Sequence, residues 1–168
     1  MRVTIVKGIG DDRIDIARPD GTTAHTRFPK KGPVPHDAVH YIVEGALGLK
    51  RGFWGMIAGG LHPEDVQEIA KAAGHASARR ANIPDASIVE LLQAERLVEC
   101  FEATLWSGDC DASSLREVAR AGCTASHVPL PEMSDAMILG IAARVSALRD
   151  AWGPAPVDHC WSFEWRAA

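Results

Sequence analysis

The chain has 168 residues, with 46% hydrophobic and 24% charged side chains and a formal net charge of −4. That length fits one ordinary domain, able to bury a core without disulfide or metal staples, and that composition excludes disordered and fibrous classes. The acidic balance argues against a general nucleic-acid binder, because phosphate-backbone binding needs a basic stripe and here Lys30-Lys31 and Arg79-Arg80 are isolated pairs.

Residues 2–7 are rich in β-branched side chains and predict a strand, 13–18 alternate as a second strand, and 22–28 form a third. Pro19-Asp20-Gly21 supplies the turn between the last two, proline pre-setting φ and glycine tolerating the left-handed conformation. Three short strands with tight turns predict an antiparallel meander. The prolines at 29, 33 and 35 make the next stretch a rigid connector.

A helix is expected from about 36 to 47, its apolar stripe Val39, Ile42, Val43, Ala46 and Leu47, with Gly48 as its left-handed cap. A short apolar helix or turn follows over Phe53–Ala58. His62-Pro63-Glu64-Asp65 opens another helix that ends near Gly74, and Pro84-Asp85 leads into the longest, about 86–106. Asp111 opens a helix that Gly122 is expected to close, and Ser134-Asp135 caps the last, about 135–151. Residues 157–166 alternate again, with Trp161, Phe163 and Trp165 on one face, so this strand should pair with the meander and turn its aromatic face to the helices. The expected fold is α+β: one domain, with a small antiparallel sheet (1–28 plus 157–166) packed on about five helices of the 36–151 region.

The N-terminus lacks the apolar run of a signal peptide, and Phe53–Leu61 is far shorter than the ~20 residues of a membrane span. A cytoplasmic protein with no membrane partner is therefore expected. Cys100, Cys110, Cys123 and Cys160 are irregularly spaced without a CxxC, which favours free, mostly buried thiols. Cys123 and His127 lie at i,i+4, but a helix end at Gly122 would separate them.

The chemistry-bearing segment is Pro35-His36-Asp37-Ala38-Val39-His40, with Glu44 beyond it. On a helix, residues four apart share a face, so both imidazoles can reach one zinc at ~2.0 Å each. In HExxH helices the acid after the first histidine acts on metal-bound water; here that position is Asp37. The candidate ligands are His36, His40 and Glu44, with Asp37 or Glu44 handling protons. Glu44 lies about 9 Å along the helix axis from the midpoint of the two histidines. It is thus a ligand only if the helix bends, and otherwise orients His40. Glu95 and Glu99, at i,i+4 on the long helix, are the remote candidates for a third ligand.

The His36-Asp37…His40 stretch resembles the HDxxH metal motif of a ubiquinone-biosynthesis protein family, over these five residues. That family's pattern adds a later glutamate, at a place that falls on Gly52 here, so the likeness is one of motif. A longer set, Arg18-Pro19-Asp20-Gly21, Lys31-Gly32-Pro33, Pro35-His36-Asp37, His40 and Gly52-Phe53-Trp54-Gly55, looks like uncharacterised small bacterial proteins with a PHDxxHxxxE segment; that resemblance implies no activity. The metal reading implies hydrolase- or lyase-like chemistry on a small molecule. The alternative is a non-catalytic structural or interaction domain, able to form a homo-oligomer, in which Asp37 caps the helix or sits as a favourable first-turn anion and Glu44 pins His40.

Overall fold

Strand β1 (Arg2–Val6) lies at the centre of the sheet because both of its edges are taken. It pairs antiparallel with β2 (Asp11–Ala17) on one side and with β4 (Cys160–Glu164) on the other, in a computed structural model that describes residues 1–73, 83–108 and 111–166. Strand β3 (Thr23–Pro29) completes the order β3-β2-β1-β4. The meander and the closing C-terminal strand are those expected, and the fold is α+β.

Alternation decides which face is buried. Val3, Ile5, Ile14, Ile16 and Phe28 point into the core, while Arg2, Arg13 and Arg27 on the other phase are exposed. The β2–β3 turn closes with Gly21 N–H donating to the Arg18 carbonyl, Gly21 taking φ +86°. Phe163 on β4 and Trp165 just past its end are buried, and Phe163 stacks on Tyr41 with ring centroids 3.9 Å apart. This joins the sheet to the first helix, as the aromatic pattern predicts.

Among the described residues six α-helices accompany the sheet: α1 (His36–Leu47), α2 (Phe53–Ala58), α3 (Pro63–Ala72), α4 (Val89–Ser107, entered through a 3₁₀ turn at Ala86–Ile88), α5 (Ala112–Ala125) and α6 (Asp135–Trp152). Helix α1 packs against α2, α4 and α6. Capping is local chemistry: the His62 ring, the Asp111 carboxylate and the Ser134 hydroxyl accept N–H groups in the first turns of α3, α5 and α6.

One expectation is corrected and another is narrowed. Gly122 does not end α5; the helix runs on to Ala125, and position 122 faces α4, where an added Cβ would meet the Arg96 Cβ at an ordinary 3.6 Å. The chain turns instead at His127, φ 55°, which leaves buried Cys123 and His127 without a shared helical face. Of the two places open to Asp37, it takes the first turn of α1 and not the cap. Pro35 holds the N-cap position without a side-chain hydrogen bond, and Asp37 lies buried in the first turn.

Cys100, Cys123 and Cys160 are free thiols, and burial pushes the Cys123 thiol up to about 11. The expected α3 end near Gly74, the Arg79-Arg80 pair and Cys110 lie outside the described residues. Among the described residues no helix is long and apolar enough to cross a membrane.

Candidate metal centre

The spacing of α1 places His36, His40 and Glu44 along one face, and that face meets α4. The two imidazoles converge: their Nε2 atoms are 3.2 Å apart. Across from them on α4, Glu95 sets Oε2 3.7 Å from His36 Nε2 and Oε1 3.7 Å from His40 Nε2. One ligand atom from each of His36, His40 and Glu95 lies within 4.8 Å of the others. Two nitrogens each ~2.0–2.1 Å from one tetrahedral ion are about 3.3 Å apart, so the histidine pair already has the edge length of a zinc site.

The far sides of the rings are held separately. His36 Nδ1 lies 3.0 Å from Glu102 Oε1, and His40 Nδ1 lies 2.8 Å from Glu44 Oε1. An ionised carboxylate only accepts, so each Nδ1 carries the proton that it donates. With Nδ1 acting as donor, the neutral ring keeps its lone pair on Nε2, the nitrogen turned toward the shared point. This carboxylate–histidine pairing fixes tautomer and ring direction in metal sites.

Glu44 is itself locked. Its Oε1 accepts the Phe53 N–H (2.9 Å) and its Oε2 the Trp54 N–H (3.1 Å), both at the N-terminus of α2. The Trp54 indole donates back to the Asp37 carbonyl at 2.8 Å, tying α2 to the first turn of α1. Gly52 makes this possible, since a Cβ there would lie 2.5 Å from Glu44 Cδ. The space at position 52 belongs to the Glu44 carboxylate.

Burial concentrates the charge. His40 and Glu44 are about 1% exposed or less, and Asp37 and Glu95 are buried beside them. Desolvation opposes charge on both imidazoles, yet the carboxylates win. His36 is pushed up to about 9 by Glu102 and Glu95, and His40 to about 10 by Glu95 and Glu44. Burial raises the Glu44 and Asp37 carboxyls, offset in part by His40 and the Trp54 and Phe53 N–H groups at Glu44 and by both imidazoles at Asp37. In the metal-free protein, protons on the imidazoles supply the positive charge that four surrounding carboxylates (Asp37, Glu44, Glu95, Glu102) require.

Solvent reaches the cluster from the α1 N-terminus. His36 and Asp37 line a recess of about 20 Å³ together with Asp12, Lys31 and Pro35, room for about one water. Of the residues singled out in the sequence, His36, His40 and the remote Glu95 converge. Glu44 takes the orienting position behind His40, and Asp37 borders the recess. Glu99 turns away to Arg96, 2.8 Å distant. Glu102 was not legible as the partner of His36; its only signal is that it lies seven residues, two helical turns, after Glu95.

The fold and the cluster together define a class: an α+β fold with a two-histidine, one-carboxylate group on a helix pair, His40 and Glu95 buried and His36 half-buried. Protein-family models, curated proteins and solved structures contain no match to this chain.

Proposed function

We propose that the chain binds one divalent metal ion, zinc, through His36 Nε2, His40 Nε2 and Glu95, and that the ion serves hydrolase- or lyase-like chemistry on a small molecule. One observation carries the reading: two Nε2 atoms 3.2 Å apart, each on a ring whose Nδ1 is tied to its own glutamate. Packing alone needs no such symmetry. The donor set suits zinc, manganese and iron, and the Irving–Williams order ranks zinc above the other two. The water-sized recess beside His36 is the place for an exchangeable ligand. Asp37, lining it with its carboxyl raised by burial, is the group to take a proton there.

Elemental analysis of protein purified without chelator tests the metal. Wild type is expected to hold about one ion per chain, and the His36→Ala/His40→Ala variant none. Equal, substoichiometric metal in both would end the proposal. For the chemistry, Asp37→Asn is expected to keep the ion and lose turnover of a generic ester such as p-nitrophenyl acetate.

A second reading keeps the ion and drops the catalysis. It is favoured by the depth of the cluster, with His40 and Glu44 closed off from solvent and the recess holding about one water. In that case zinc raises thermal stability, and neither Asp37→Asn nor added small anions changes anything measured at the metal.

A further inference from the structure

Behind Glu44, on the side away from the histidines, lies a larger opening that the metal reading does not use. It is a cavity of about 270 Å³ between the end of α1, helix α2 and the C-terminal segment, walled by Glu44, Gly45, Gly55 and Trp165, with Lys50 and Arg166 also lining it. An adjoining groove shares Gly45, Trp165 and Arg166 and adds Tyr41 and Arg144.

Three features of this place need a reason. First, Gly45 lies within α1, where glycine is the least favoured residue after proline, yet a Cβ built there meets nothing within 4 Å. Neighbouring glycines have structural explanations: Gly48 holds φ +65° at the helix cap, and a Cβ on Gly55 would strike the Lys50 carbonyl. Gly45 has none except the open space in front of it.

Second, Trp165, only 6% exposed, gives the cavity a wall from a large aromatic side chain that the fold holds in place. Third, Lys50, Arg144 and Arg166 gather here in a chain of net charge −4, and none forms an ion pair among the described residues. The Arg144 guanidinium lies over the Tyr41 ring at 6.0 Å. The nearby acids are already engaged: Glu164 with Arg2, and Glu44 with His40 and two backbone N–H groups.

We infer that this cavity is a binding site for a small organic monocarboxylate, its apolar part against Trp165 and the Gly45 gap and its carboxylate toward Lys50 and Arg166. An apolar pocket with few convergent polar groups is the ordinary form of such a site. Glu44 is shared as a wall, but its carboxylate is taken by His40 and two backbone N–H groups, and neither histidine lines the cavity, so the two readings are tested separately.

Isothermal titration calorimetry of the full chain with hexanoate, and with 1-hexanol as its neutral counterpart, tests the inference. Wild type is expected to bind hexanoate at one saturable site and 1-hexanol about tenfold more weakly. Gly45→Ala should leave binding in place, since one methyl leaves most of the gap open. Gly45→Leu, which fills it from a position free of clashes, should weaken hexanoate about tenfold or more while circular dichroism and Tm show an intact fold. Lys50→Ala/Arg166→Ala should remove the preference for the acid over the alcohol. No saturable hexanoate binding to wild type, undiminished binding to Gly45→Leu, or equal affinity for acid and alcohol would overturn the proposal.

Discussion

At the residue scale the cluster makes Glu44 and Gly52 a matched pair. The Glu44 carboxylate fills the space that any side chain at 52 would need, and it sets the ring of His40. Replacing Glu44 by Gln keeps the volume but removes the strong acceptor on His40 Nδ1. Losses at such orienting partners run to about 10–100-fold in metal affinity, and competition against a chelating zinc dye would read that drop. Gly52→Ala acts through the same contact from the other side. Its methyl must displace a fully buried carboxylate that backbone donors hold, so destabilisation of about 1–3 kcal/mol is expected from urea melts, with weakened zinc binding alongside. Were Gly52→Ala as stable and as tight-binding as wild type, the role given to Glu44 would be wrong.

At the scale of elements, α1 and α4 share the work. α1 brings its histidines at i,i+4, and α4 answers with Glu95 and, two turns on, Glu102. Helix α5 buttresses α4 where Gly122 meets Arg96. The Cβ missing at that position would sit at ordinary van der Waals distance, 3.6 Å. Gly122→Ala should therefore gain helix propensity without a clash and stabilise the fold by about 0.5–1 kcal/mol. A lower Tm for that variant would show that the α4–α5 contact tolerates no added atom. The aromatic face of β4 bears on α1 through the Phe163–Tyr41 stack. Phe163→Ala is expected to cost about 3–5 kcal/mol in denaturant melts, because it opens a void at the junction of sheet and helices.

At the scale of the whole molecule, the buried charge couples folding to pH. The unfolded histidines titrate near 6.5, whereas in the fold His36 is raised to about 9 and His40 to about 10. Raised values mean that the folded state binds the protons more tightly. Their contribution is therefore fully present below pH ~6.5 and lost as pH rises through about 9 to 10. The raised Glu44 and Asp37 carboxyls act in the same direction. Metal-free protein should thus lose several degrees of Tm between pH 6.5 and 9.5, at about 2–4 °C per kcal/mol for a chain of this size. A dication replaces those protons, so the zinc-induced rise in Tm should grow from pH 6 to 8.5. A zinc effect that is flat or shrinking across that range would contradict the assignment of the imidazoles as ligands.

The sequence alone determined the parts whose rules are local. Period-two alternation laid out the strands, 3.6-residue periodicity and caps laid out the helices, and the i,i+4 spacing of His36 and His40 put two rings on one face. It also limited Glu44, since the rise per residue keeps that carboxylate from reaching the same point as both histidines. Gly122 misled because a glycine permits a helix end without requiring one; α5 packs on α4 at that position and continues through it. Only tertiary structure chose Glu95 over Glu99, gave His36 its partner Glu102, and seated Glu44 on the N–H groups of α2. Those choices depend on how α1, α2 and α4 rotate against one another, which is settled by burial of their apolar faces across long sequence separations and has no trace in the spacing within any one helix.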